Sequence, residues 1–237
     1  MNSISVCIPN FNRTTLLFEA LQVPLEDERV SEIVIVDDCS DYTLYSEVMA
    51  FCYSQPKIKL FRNEVNQDCF KNKRIAVSKA TNEYVVLLDS DNSISKEYID
   101  AIFETQWMST KILQPTFAKP HFDFRKFGTG TVTKANVKDY LYDSSFTTAL
   151  NAMNYFVNRD EYLRVWDGSV DPVTSDSIWQ NYCWLNAGNS IYFVPGMHYK
   201  HRVDDHKNEA KSHYSENNKR TPKNFHMDVI KKLKQLR

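Results

Sequence analysis

Glycine is scarce in this chain and all of it comes late: Gly128, Gly130, Gly168, Gly188 and Gly196 are the only five. The front half therefore contains neither a dinucleotide-binding glycine fingerprint nor a P-loop. A nucleotide held there must be gripped by a metal ion and basic side chains, because no glycine-rich phosphate cradle exists. Cysteine is sparse too. Cys7, Cys39, Cys52, Cys69 and Cys183 are odd in number, dispersed and without Cys-x-x-Cys spacing, which reads as a reduced, cytoplasmic protein with no zinc site. Charge is nearly balanced at −1, arguing against bulk electrostatic binding to nucleic acid. No apolar run approaches the ~20 residues of a membrane span. Met1-Asn2-Ser3-Ile4-Ser5 lacks a basic leader, so no signal peptide is expected.

What is present is an ordinary globular composition, 42% apolar and 25% charged over 237 residues, enough for one large domain with a modest extension. Apolar strand-like runs at residues 3–8, 31–36, 57–61 and 83–88 alternate with helical patterns at 14–21, 42–53, 68–80 and 96–106. This alternation predicts a mostly parallel sheet with right-handed crossovers. After residue 106 the rhythm changes. Residues 117–127 are aromatic and basic without clear periodicity, and residues 115–133 read as an irregular segment. A strand is expected at 154–157, helices at 159–166 and 176–187, and a short strand at 190–195. The expected organisation is one domain over residues 1–200, divided at residue 106 into a nucleotide-binding half and an acceptor-side half. Residues 201–237 form a C-terminal tail.

Two acidic clusters close the second and fourth strands: Ile35-Val36-Asp37-Asp38 and Leu87-Leu88-Asp89-Ser90-Asp91. Ligands of open α/β sheets bind beyond the carboxyl ends of such strands. Asp-Ser-Asp there suits a hard cation with positions left for a diphosphate. The structural alternative is a helix cap, with Asp91 or Ser93 capping the helix that follows. The tail, with the three residues before it, carries five of the six histidines (His198, His201, His206, His213 and His226) among many lysines and arginines. It reads either as a solvated extension or as a basic lid over a diphosphate. Its last stretch, 225–237, is an amphipathic helix candidate that docks on the domain or makes peripheral membrane contact through its lysines.

Val6-Cys7-Ile8-Pro9-Asn10-Phe11-Asn12-Arg13, Ile35-Val36-Asp37-Asp38-Cys39-Ser40, and Ala80-Thr81-Asn82-Glu83-Tyr84 leading to Asp89-Ser90-Asp91 resemble a family 2 glycosyltransferase of the GT-A type. The resemblance covers roughly the first hundred residues. It implies a Rossmann-like sheet flanked by helices and transfer of a sugar from a nucleotide-sugar donor. Pro9, Phe11 and Asn12 would then line the nucleobase pocket, and Asp38 would accept from a uracil N3–H. Lys73 or Arg74 would meet the diphosphate, and Asp89, with Ser90 beside it, the ribose. Asp91 would hold Mn²⁺ or Mg²⁺, with His201 as a further metal or phosphate contact. Asp176 falls near the family's acceptor-side acid and is the candidate base, with Asp160, Asp167 and Asp171 as fallbacks and a helix cap as the alternative. The acceptor would be a glycan or lipid-linked hydroxyl, and transfer would invert the anomeric centre.

The chain departs from the family's pattern where Cys39 and Asn66-Gln67-Asp68 replace common glycines and Ser175 replaces an acid. A catalytically inactive nucleotide-sugar or glycan-binding module therefore stands as the second reading. The aromatics of the second half are expected mostly in the core, with Phe122 or Trp179 as an acceptor platform. A nucleotidyltransferase would need a glycine- and arginine-rich loop where Pro9-Asn10-Phe11-Asn12 stands.

Overall fold

The computed structural model describes residues 3–202 and 224–237. Four strands rich in β-branched residues build the front of a single sheet. These are β1 (Ile4–Asn10), β2 (Val30–Asp37), β3 (Ile58–Arg62) and β4 (Tyr84–Leu87). They lie parallel in the order β3-β2-β1-β4. β1 is buried along its whole length, because helices cover both faces and a strand lies on each edge. The helices are α1 (Thr15–Glu26), α2 (Tyr42–Tyr53), α3 (Asp68–Lys79) and α4 (Lys96–Glu104). Asn10 pairs in register with Asp37, and Cys7 with Leu87. That register brings both acidic clusters to one end of the sheet, on either side of β1.

Beyond β4 the sheet stops being parallel. β9 (Phe156–Asn158) runs antiparallel to both β4 and β6 (Lys111–Lys119). β10 (Ser190–Lys200) then lies parallel to β6. The short strands β5 (Ser93–Ile94) and β8 (Thr131–Val132) pair with β10, and β7 (Phe122–Asp123) pairs with β6. The segment read as irregular thus begins inside a nine-residue strand, of which residues 115–119 belong to it. Pro115 hid it, since proline is normally foreign to an inner strand. Here Pro115 faces Val194, where the ladder shifts register before His198. Gly196 sits in that shift with φ +84. β10 therefore continues to Lys200, past the predicted end at residue 195, and delivers Tyr199 and His201 to the acidic end of the sheet.

The remaining helices, α5 (Val137–Tyr140), α6 (Ser144–Leu150), α7 (Arg159–Val165) and α8 (Asp176–Asn186), pack around the back half. The C-terminal helix Phe225–Lys234 buries Val229, Ile230 and Leu233 and packs on α8 and α5. Docking on the domain is thus what its apolar face does. Among the described residues no helix is long and apolar enough to cross a membrane. His206, His213 and the proposed lid lie outside the described residues. Trp107 is half-buried against the core, ringed by Tyr84, Phe103 and Phe156 at centroid distances of 4.8–5.2 Å.

Candidate functional site

A cavity of about 540 Å³ opens at the carboxyl ends of β1, β2 and β4. The two acids after β2 have different fates. Asp37 is fully buried, and its Oδ1 accepts from the Ser40 amide at 3.0 Å, so it builds the turn. Asp38 lines the cavity, its Oδ1 fixed by the Gln67 amide at 2.8 Å and the Asn63 side chain at 2.7 Å. Burial pushes the Asp38 carboxyl up, against the pull of those donors. The departures from glycine leave the backbone path intact: Cys39 and Asp68 take φ of 62° and 64°, the left-handed region glycine favours. Pro9 and Phe11 line the cavity. Asn12 does not. Its amide donates to Ser40 Oγ at 2.8 Å, and its Oδ1 accepts from the Asp41 amide at 2.8 Å, stapling the turns after β1 and β2 together.

The Asp89-Ser90-Asp91 cluster is held from three sides. Asn154 accepts from the Asp89 amide at 2.8 Å and donates to its Oδ2 at 3.4 Å. Arg13 Nη2 lies 2.9 Å from Asp91, and Nη1 donates to Ser90 Oγ at 3.3 Å. Lys73, with a side chain only 7% exposed, lies 3.2 Å from Asp89 Oδ1 and 2.8 Å from Asp176 Oδ2. Burial alone would lower the Lys73 ammonium and raise the Asp89 carboxyl. The mutual attraction of lysine and carboxylates reverses both, holding the lysine up and Asp89 down. One ammonium thus joins a carboxylate from before residue 106 to one from after it. Arg74, the alternative cation, is turned away from the cavity and lies 5.0 Å over the Trp166 ring. It follows Lys73 directly on α3, and adjacent helical positions do not share a face.

The capping alternatives are not what these acids do. The N-cap of α4 is Ser95, and Asp176 is the first residue of α8 rather than its cap. Ser175, at the cap position, makes no side-chain cap bond. Asp160 pairs with Arg159, and Asp167 accepts from the Ser169 amide. Neither these two nor Asp171 lines the cavity. His201 does, its Nδ1 3.4 Å from His121 Nδ1. Burial holds its pKa down, offset by Asp91. Among the described residues no three His, Cys, Asp or Glu side chains gather closely enough to enclose a cation. Asp91 and His201 fit a hard divalent ion only as part of a set completed by a ligand's phosphates, the usual habit of Mg²⁺.

Arg13, Asn154 and His226 also line the cavity, and sequence reasoning gave none of them a role. Arg13 stood inside a quoted motif and Asn154 at the start of an expected strand, but nothing in a linear pattern says which acid a distant arginine pairs with. Of the aromatic platforms, Phe122 is 39% exposed and lines the cavity. Trp179 is buried instead, its indole N–H donating to the Asp167 carbonyl at 3.0 Å.

Residues 5–106 match the profile of Glycosyl transferase family 2. An uncharacterised glycosyltransferase of Rickettsia conorii is 33% identical over 98 residues, 41% of this chain and 16% of that protein. The GalNAc(5)-diNAcBac-PP-undecaprenol beta-1,3-glucosyltransferase of Campylobacter jejuni is 32% identical over 96 residues, 40% of this chain and 31% of that one. The chain thus spans a third or less of the length of these relatives. S. aureus TarS residues 1–349 in complex with UDP superpose with a TM-score of 0.63 at 18% identity, covering 84% of this chain and 60% of that one. The complex with UDP-GlcNAc gives 0.60 at 19% identity, covering 89% and 62%. These likenesses establish the GT-A fold.

Proposed function

We propose, from the match of residues 5–106 to glycosyltransferase family 2, that the chain transfers a sugar from a UDP-sugar to an acceptor hydroxyl with inversion. The observation that carries this is Lys73, buried between Asp89 at the donor end and Asp176 at the acceptor end of one cavity. The TarS complexes with UDP and UDP-GlcNAc support a uridine nucleotide. Phe11 and Pro9 flank the base, Asp38 accepts from its N3–H, and Asp89 meets the ribose. A divalent cation held by Asp91 and His201 would offset charge on the departing diphosphate.

The acceptor oxygen attacks the anomeric carbon from the Asp176 side. The bond to the diphosphate oxygen breaks with its electron pair staying on that oxygen, and the acceptor proton passes to Asp176. Lys73 supplies fixed positive charge where water is largely excluded, so it acts on the developing diphosphate more strongly than it would in bulk solvent. The acceptor is a glycan or lipid-linked hydroxyl. A second reading, a binding module without turnover, draws on one observation: Asp176 is engaged by Lys73 and must be released before it takes a proton.

Thermal melting with and without UDP and Mn²⁺ tests the donor site. Ligand at a hundredfold excess over Kd adds ~2.7 kcal/mol to apparent stability. The expected result is an upward shift that needs Mn²⁺ and is lost in Asp91→Ala. No shift with UDP sinks the uridine assignment. UDP release from a panel of UDP-sugars separates the readings: the transferase loses release in Asp176→Asn with UDP binding intact, whereas the module releases none as wild type.

A further inference from the structure

The cavity is chemically lopsided. Among the described residues its lining cations are Arg13, Lys73 and Arg202, and each is matched by a carboxylate of the protein: Asp91, the pair Asp89 and Asp176, and Glu19. The wall around Asp176 comes from α6, α8, the turn before α8 and the C-terminal helix. It offers Thr148, Asn151, Met153, Thr174, Ser177 and His226. These are hydroxyls, an amide, a thioether and an imidazole. A carboxylate, phosphate or sulfate placed there would face Asp176, and among the described residues every lining cation is already matched by a carboxylate. A polyol would meet hydroxyl, amide and imidazole groups able to donate to it and accept from it.

His226 differs from its neighbours in origin. It sits in the first turn of the C-terminal helix, far along the chain from the family-matched residues, and its Nδ1 lies 3.5 Å from Ser175 Oγ. The helix is anchored by Val229, Ile230 and Leu233, so the imidazole is presented from a rigid element. Burial lowers its pKa, which keeps the ring uncharged and able both to donate and to accept. Asn151 of the same lining is pinned, donating to the Thr174 carbonyl and accepting from the Ile178 amide, each at 3.3 Å.

We propose that the acceptor bound at the Asp176 end is an uncharged sugar, and that His226 reads one of its hydroxyls. This rests on the transferase reading for the word acceptor, but the binding site stands on its own lining. The test is saturation-transfer NMR on the full chain with methyl β-glucoside, β-galactoside and β-N-acetylglucosaminide against methyl β-glucuronide, each with and without UDP and Mn²⁺. At least one neutral glycoside is expected to bind. The glucuronide, and the neutral glycoside in His226→Ala, are expected to bind roughly three- to tenfold more weakly, the worth of one hydrogen bond or an uncompensated charge. His226→Gln, which keeps a donor and an acceptor, is expected to recover most of the loss. Melting of both variants checks that the helix stays docked. Glucuronide binding as tightly as the neutral sugars, an unchanged His226→Ala, or UDP binding without any glycoside signal each overturns the inference alone. Glycoside binding without any UDP signal supports the His226 site while removing the transferase reading.

Discussion

Lys73 has two carboxylates within 3.2 Å and almost no solvent, so its worth is largest when it is removed. Breaking a buried ion pair by deleting one partner costs about 3–5 kcal/mol, because the orphaned charge stays inside. Lys73→Met is therefore expected to melt lower by roughly 2–4 °C for each kcal/mol, and to lose UDP-dependent stabilisation. Adding Asp176→Asn removes one orphaned carboxylate and should return part of the stability, a non-additivity that a double-mutant cycle reads directly. Asp38 predicts the opposite sign. Its folded-state pKa is raised by burial, so ionisation opposes folding: the penalty is absent below the unfolded value of about 3.9 and grows as pH rises through the folded one. Asp38→Asn should then melt higher than wild type at neutral pH, with the difference closing as pH falls through about 4, and should bind UDP poorly. Thermal melting across pH, with and without UDP, checks both halves.

Among the elements, the C-terminal helix carries the most consequence for its size. It spans Phe225–Lys234, buries Leu233 completely, and brings His226 into the cavity. Truncating a buried leucine costs about 2–5 kcal/mol through lost transfer energy and the void left behind. Leu233→Ala should loosen the helix from α8, measured as faster amide exchange confined to residues 225–237, and should weaken glycoside binding more than UDP binding. A helix whose apolar face was solvent-exposed would show neither effect. β10 makes the complementary point. Its shift around Gly196 uses a left-handed backbone to turn one strand into two useful segments, the second leading directly into His201, which feels the Asp91 charge.

For the molecule as a whole, the family-matched residues 5–106 are not a folding unit. β4 lies between β1 and β9, and β9 joins β4 to the β6-β10 half. A chain ending at residue 106 would leave Val85, Val86 and Leu87 on an open apolar edge. It is expected to show no cooperative thermal transition and to bind a hydrophobic dye, whereas the full chain melts in one step. Sheet continuity also makes the cavity a joint product. Asp38, Asp89 and Asp91 come from before the division, and Asp176, His201 and His226 from after it.

The sequence by itself determined the parallel front of the sheet and the place of both acidic clusters. Strand hydrophobicity and the acids that terminate it are local properties, written in consecutive residues. It also named Lys73, Asp89 and Asp176 separately. Tertiary structure alone decided that these three form one ion cluster, that Arg74 faces Trp166 instead of the cavity, and that Asn12 staples turns. Those outcomes depend on helix phase and on contacts across a hundred residues. Pro115 concealed a central strand for a related reason: a strand tolerates proline only where its partner's register leaves no amide to be satisfied, and register belongs to the pair of strands rather than to either one.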